Sequence, residues 1–188
     1  MAGRRILDGA GVTQALEQIA RSIQAGAAQG LPLAVIGIRR RGVPLAERIA
    51  ALIAGLAPEA APRSGALDIT LYRDDLTLVA DQPVVHATEI PFALDGMRVV
   101  LVDDVLYTGR TVRAAIDALF ALGRPSRIEL AVLVDRGHRE LPIQADHVGA
   151  RVETRREESV HVHVQEIDGE DLVEVVPAPE KRGPEEAP

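Results

Sequence analysis

No cysteine occurs in the 188 residues, which excludes disulfides and thiolate metal sites and suits a reducing compartment. Tryptophan is also missing, and two tyrosines and two phenylalanines are the whole aromatic complement. That leaves no aromatic stacking platform, so any nucleic-acid recognition has to rest on shape, phosphates and polar contacts. No apolar run reaches the roughly 18 residues of a membrane span. The opening "MAGRRILDGAG" has two arginines but no apolar core behind them, so a signal peptide is not expected and a cytoplasmic location is. Internal repeats and interdomain linkers are not visible, and the nucleotide-loop spacings G-x-x-x-x-G-K and G-x-G-x-x-G are lacking.

What is present is an ordinary globular composition, 47% hydrophobic and 26% charged, enough for one domain that buries roughly 70% of its unfolded surface. The net charge of −7 is unevenly spread. Residues 1–63 carry +4, residues 64–97 carry −5, residues 98–151 carry +1 and residues 152–188 carry −7. Lys181 is the single lysine, so arginine supplies nearly all positive charge. Its planar fork suits bidentate phosphate contacts, and an acidic total does not exclude a local basic face.

Helical spacing of Leu16, Ile19, Ala20, Ile23 and Ala27 predicts a helix capped by Thr13 and stopped at Gly30. "LPLAVIGIRR" reads as a buried strand, and "GVPLAERIAALIAGL" as a helix with Pro44 in its first turn. The alternating stretches "ALDITLYR" and "QPVVHATEI" flank the polar "DDLTLVAD", a pattern that predicts a two-stranded arm with a mobile tip. "MRVVLVDDV", "TVRAAIDALFALG" and "SRIELAVLV" form a strand, helix and strand. This βαβ unit implies parallel strands covered on both faces. "SVHVHVQ" and "DLVEVV" predict short strands, while "PAPEKRGPEEAP" predicts a disordered acidic, proline-rich tail over 177–188.

The stretch "VVLVDDVLYTGRT" (99–111) puts two acids at the carboxyl end of a strand and a glycine-containing turn before a helix. Ligands of open α/β sheets sit at that edge. Thr108, Gly109, Arg110 and Thr111 present N–H groups and hydroxyls at a helix N-terminus, a ready monophosphate site. Asp103 and Asp104 suit sugar hydroxyls and can hold Mg²⁺ through water. A ribose 5-phosphate satisfies both halves; a solvated turn with Asp as turn former is the competing reading.

The segment also resembles the phosphoribosyl-pyrophosphate signature of type I phosphoribosyltransferases. With "LYRDDL", "GIRRRG" and "VDRGHRELPI", the chain resembles the PyrR family, bacterial pyrimidine operon regulators with uracil phosphoribosyltransferase activity. The resemblance extends to about residue 176. It implies an α/β fold: a central, mainly parallel sheet flanked by helices, a flexible β-arm and a small hood, in a single domain over 1–176. It also implies that Asp103 and Asp104 bind the ribose hydroxyls and, indirectly, Mg²⁺, and that 108–111 wrap the 5′-phosphate. The pyrophosphate loop would be Arg39, Arg40, Arg41 and Gly42, with Arg73 at the root of the arm. Here Arg39 and Arg40 depart from the Lys and Thr usual in the family. Val134, Asp135, Arg136, Gly137 and His138 fall in the segment implied to cover uracil as the hood.

Implied partners are phosphoribosyl pyrophosphate, uracil, UMP or UTP, and the leader mRNA of pyrimidine genes, bound by a homodimer or larger homo-oligomer. Arg21, Arg113, Arg139 and Arg151, with Arg136, are candidate RNA phosphate contacts. His161 and His163 share one strand face but show no third metal ligand in sequence. Two other functions fit the same residues: a catalytically weak nucleotide-sensing RNA-binding regulator, and a salvage enzyme for a purine base.

Overall fold

In the computed structural model, residues 3–26, 30–70 and 87–177 are described. Strand β1 (Arg4–Leu7) leads into helix α1 (Gly9–Ala25), followed by β2 (Leu33–Ile38), α2 (Gly42–Leu56) and β3 (Arg63–Leu67). Then come β4 (Arg98–Leu106), α3 (Arg110–Leu122), β5 (Arg127–Asp135), β6 (His147–Arg151), β7 (Ser159–His163), the short α4 (Gln165–Asp168) and β8 (Leu172–Val176).

Five strands form one wholly parallel sheet in the order β3-β2-β4-β5-β6. The continuous apolar runs have a direct cause. Alternate residues Val100, Val102, Ala131 and Leu133 pack under α1 and α2; Val99, Leu101, Leu130 and Val132 pack under α3. A strand covered on both faces has no polar side to alternate with.

A second, antiparallel sheet has the order β1-β8-β7, and its Val162, Val173 and Val175 join the core that carries α1 and α2. This small sheet stands apart from the segment 134–143, the hood expected from sequence. The separate cap is built from β1, β7 and β8, while Val134 is fully buried inside β5.

Helix α1 also begins earlier than its periodicity suggests. Asp8, not Thr13, is the N-cap and accepts from Gly11 N–H at 2.9 Å. Thr13 lies within the first turns and donates to the Gly9 carbonyl. The arm tip, Arg73 and the tail beyond 177 lie outside the described residues. What is described of the arm region is β3 beside β2, and a bridge between Ala66 and Glu89.

The amino ends of the central strands are pinned by buried charge. Arg98 (4% exposed) grips Glu129 (2% exposed) through Nε and Nη2, at 2.9 and 2.7 Å. Arg98 Nη1 donates to the Ile23 carbonyl in the last turn of α1, where a cation suits the helix end. His147 Nε2 lies 2.9 Å from the same carboxylate. An ionised carboxylate accepts only, so Nε2 donates.

Candidate active site

The sheet order places the site. From β2 the chain steps outward to β3, whereas from β4 it steps the other way to β5 and β6. The crevice between β2 and β4 is thus the switch point where open α/β sheets bind ligands, at the carboxyl ends of the strands. Pairing of β2 with β4 runs to Gly37 opposite Val102. One residue later β4 presents Asp103 and Asp104.

Two glycines close the turn between β2 and α2 against that point. A Cβ on Gly37 would collide with the Val43 backbone, and a Cβ on Gly42 with the Val102 carbonyl oxygen. The arginine loop 39–41 is therefore seated beside the two aspartates by direct backbone contact. Within it the Arg39–Arg40 peptide bond is cis. Arg39 Nη2 donates to Glu89 at 2.8 Å, and Arg40 is exposed. Arg41 makes a bidentate pair with Asp168 of α4, from Nε at 3.1 Å and Nη2 at 2.8 Å. That hydrogen bond, reinforced by the Val164 N–H, holds the Asp168 carboxyl below the usual carboxylate range.

Asp103 is 7% exposed, and its Oδ1 accepts from Asp104 N–H at 3.0 Å. Asp104 Oδ1 accepts from Val105 N–H at 2.8 Å. A cavity of about 300 Å³ lies between Arg41, Asp104 and β7 residues 160–163. Among the described residues no group of three or more His, Asp or Glu side chains stands ready for a metal. The adjacent Asp103 and Asp104 nonetheless fit Mg²⁺, which keeps several waters and prefers one or two carboxylates plus substrate phosphates.

On the other side of β4, Gly109 takes a left-handed φ of 94° as the N-cap of α3 and gives no side-chain cap. Arg110 N–H reaches the Thr108 hydroxyl at 3.4 Å, and a helix N-terminal turn of this kind favours an anion. Behind this turn stands the loop 136–143. Glu140 and Leu141 N–H both donate to the Thr108 carbonyl, and Arg110 pairs with Glu140 at 2.9 Å.

Arg139 is the centre of that buttress. Its guanidinium donates to the carbonyls of Tyr107, Gly137 and Ile143 and to Asp135 Oδ1, at 2.6–3.0 Å. Its donors are engaged within the chain, beside the turn that precedes α3. An Arg139→Met substitution leaves these acceptors unpaired behind the turn 107–109. It is expected to weaken UMP binding about tenfold, at roughly 1.4 kcal/mol per decade, read by calorimetric titration; an unchanged dissociation constant would refute the buttress role.

The remaining site expectations divide. Asp135, Arg136, Gly137 and His138 line a second recess of about 620 Å³ with residues 151–154. Arg136 lies 4.1 Å over the Tyr107 ring and donates to the Arg155 carbonyl. His138 Nε2 lies 2.7 Å from the Thr154 carbonyl. Arg21 is exposed on α1 beside Glu17, and Arg151 shares a pocket with α1 residues Gln18 and Ser22. Arg113 rides on α3, beyond the opposite face of the sheet. Arg151 lines both recesses, so it stands beside Arg136 on one side and near the α1 face on the other, whereas Arg113 lies across the sheet.

Sequence reasoning missed Asp168, because "IDGED" reads locally as an acidic turn and its partner lies 127 residues away.

The phosphoribosyl transferase domain family matches residues 3–166. The bifunctional protein PyrR of Pelotomaculum thermopropionicum is 57% identical over 172 residues, covering 92% of this chain and 94% of that protein. The protein of the same name from Thermus thermophilus is 64% identical over 143 residues, 76% of this chain and 78% of its own length. A solved hypoxanthine phosphoribosyltransferase of Trypanosoma cruzi superposes with a TM-score of 0.71 at 17% identity, covering 92% of this chain and 90% of that one; at this identity the likeness is one of fold. With the crevice, the glycine turn and the relatives taken together, the chain belongs to the phosphoribosyl transferase family and, within it, to the bifunctional PyrR proteins.

Proposed function

We propose that the chain transfers the phosphoribosyl group of phosphoribosyl pyrophosphate to uracil, releasing UMP and pyrophosphate. Its second role is to bind the leader mRNA of pyrimidine genes under control of UMP or UTP, as a cytoplasmic homodimer or larger homo-oligomer, and so lower their expression. One observation carries the enzymatic reading: the arginine loop and the carboxylate pair meet at the sheet's switch point, and the strand that carries the two aspartates runs on into the glycine turn that opens α3.

In this reading the 5′-phosphate sits on the N–H groups of 108–111, and Asp103 and Asp104 accept from the ribose hydroxyls. Uracil lies against β7, an edge strand whose outer main-chain groups are not taken up by its own sheet. Hydrogen bonding to such an edge discriminates more strongly between bases than apolar contact does. The bond from C1 to the pyrophosphate oxygen breaks as C1 joins uracil N1, whose proton is lost to solvent. Positive charge develops on the ribose and negative charge on the leaving group. Mg²⁺ travelling with pyrophosphate supplies charge neutralisation there, and Arg41 adds a fixed donor.

Turnover of radiolabelled uracil, with hypoxanthine as competitor, tests the reaction. UMP formation is expected; intact phosphoribosyl-pyrophosphate binding with no UMP would leave a nucleotide-sensing regulator, and turnover of hypoxanthine alone would make it a purine salvage enzyme. Asp104→Asn is expected to weaken both UMP and phosphoribosyl pyrophosphate by about tenfold or more, on the scale of a lost charge-assisted hydrogen bond. Unchanged dissociation constants would sink the ribose assignment. For regulation, filter binding should give tighter capture of pyrimidine-leader RNA with UMP than without. Equal affinity for unrelated hairpins, indifferent to UMP, would defeat the RNA role.

A further inference from the structure

Arg41 is held from outside its own loop. Of its guanidinium edges, Nε and Nη2 are engaged by Asp168, while Nη1 takes no hydrogen bond among the described residues. The same side chain lines the cavity that it shares with Asp104 and β7. Asp168 is itself fixed, because its Oδ2 accepts from Val164 N–H at 2.9 Å at the start of α4. The small sheet therefore carries the group that sets the plane of the loop arginine.

We propose that Asp168 is a positioning residue for the leaving-group side of the reaction: it grips Arg41 by one edge and leaves the Nη1 edge for the pyrophosphate. The proposal rests on the reading of loop 39–41 as the pyrophosphate loop. A donor aligned in advance needs no reorganisation when charge develops, and that raises the rate of the chemical step more than it tightens ground-state binding. The carboxylate also offsets part of the Arg41 charge, so its removal frees charge for the bound substrate while it loses alignment. The two effects oppose one another in ground-state binding, whereas alignment matters most where charge develops on the leaving group, so the loss falls on kcat.

A second anchor makes the inference separable from folding. Arg48, two turns along α2, grips Glu166 at 2.8 and 2.7 Å and Asp171 at 2.8 and 3.0 Å. The α4 turn thus stays docked on α2 when Asp168 is changed. Asp168→Asn can still accept from Val164 through its amide oxygen, but its NH₂ then faces Arg41 Nη2, donor against donor.

The test is steady-state kinetics of Asp168→Asn, Arg41→Gln and the double variant, alongside UMP titration and thermal unfolding. Asp168→Asn should lower kcat about tenfold, the scale of a misdirected transition-state donor. KM for uracil and the dissociation constant of UMP should stay as in the parent, and the unfolding midpoint should fall by no more than about a few degrees, the scale of one partly exposed ion pair. The double variant should be no slower than Arg41→Gln alone, because the effect runs through that arginine. A kcat within twofold of the parent, additive losses, or an equal drop in UMP affinity would each overturn the role of Asp168. If Arg41→Gln itself left phosphoribosyl-pyrophosphate kinetics intact, the pyrophosphate-loop reading would fall instead.

Discussion

Glu129→Gln is expected to cost about 3–5 kcal/mol of folding stability, the range for breaking one side of a buried ion pair. The carboxylate is 2% exposed and its partner Arg98 4% exposed. A neutral amide leaves the guanidinium in the interior without its counter-charge. Burial alone pushes Glu129 upward, but hydrogen bonds from Arg98 and His147 and the charges of Arg98 and Arg127 outweigh it, and the carboxyl titrates at about 2 instead of 4.5.

A depressed folded-state value fixes the sign. The stabilisation is fully present above pH of about 4.5 and is lost as pH falls through about 2. Urea unfolding measured from pH 7 down to pH 2 checks both points. Glu129→Gln should lower the midpoint at neutral pH and flatten the acid limb. Arg98→Met combined with Glu129→Leu should recover much of the loss, since apolar groups of similar volume often replace a buried pair without penalty. A Glu129→Gln midpoint equal to the parent's would show that the network does not hold the lower edge of the sheet.

Gly42→Ala should damage the crevice at its aspartates. Its Cβ meets the Val102 carbonyl and comes within 3.4 Å of the Asp103 Cα, so the obstacle is backbone on a central strand and not a side chain free to swing away. Either α2 lifts from the sheet or the strand gives way at the aspartates. Overpacking of this kind costs about 1–3 kcal/mol in stability. The larger effect is on geometry, because a displacement of about 1 Å at a reacting centre can cost 100-fold in rate. The expected result is a fall of about that size in kcat/KM for phosphoribosyl pyrophosphate. Gly55→Ala, on the same helix with open space around it, should keep full activity. Equal activity of the two variants would refute the close-approach argument.

Most of the central sheet was legible from sequence because its strands carry signals that do not depend on distant partners. The apolar run before Asp103 is continuous, Gly109 stands where a left-handed turn is needed, and α2 occupies the whole of "GVPLAERIAALIAGL". The small sheet was only half legible. β7 and β8 alternate, but β1 is four residues with two arginines. In the parallel sheet the edge strand β6 was hidden in the same way, since it holds a glycine and ends in arginine. Asp8 was hidden as a cap by Gly9 and Gly11, which give the first turn of the helix no helical signature.

In the site, Asp103, Asp104 and the turn 107–109 announce themselves by local pattern. Arg139 and Asp168 do not, since what defines each is a partner brought near by the fold. A surface arginine and an arginine bonded to three carbonyls look the same in one dimension.

Pairing of β1 with β8 sets Arg4 opposite Val175, so the small sheet closes a loop of about 170 residues, whose entropic cost grows only slowly with length but which must be met before the sheet gives any return. Contacts of such range form late in folding. The parallel sheet can therefore exist while β1, β7 and β8 are still apart, and in that state Arg41 has no Asp168 to orient it. Until the two ends of the chain meet, Arg41 lacks the carboxylate that fixes its plane, so an arginine of the crevice depends on a pairing between the first and last strands of the sequence.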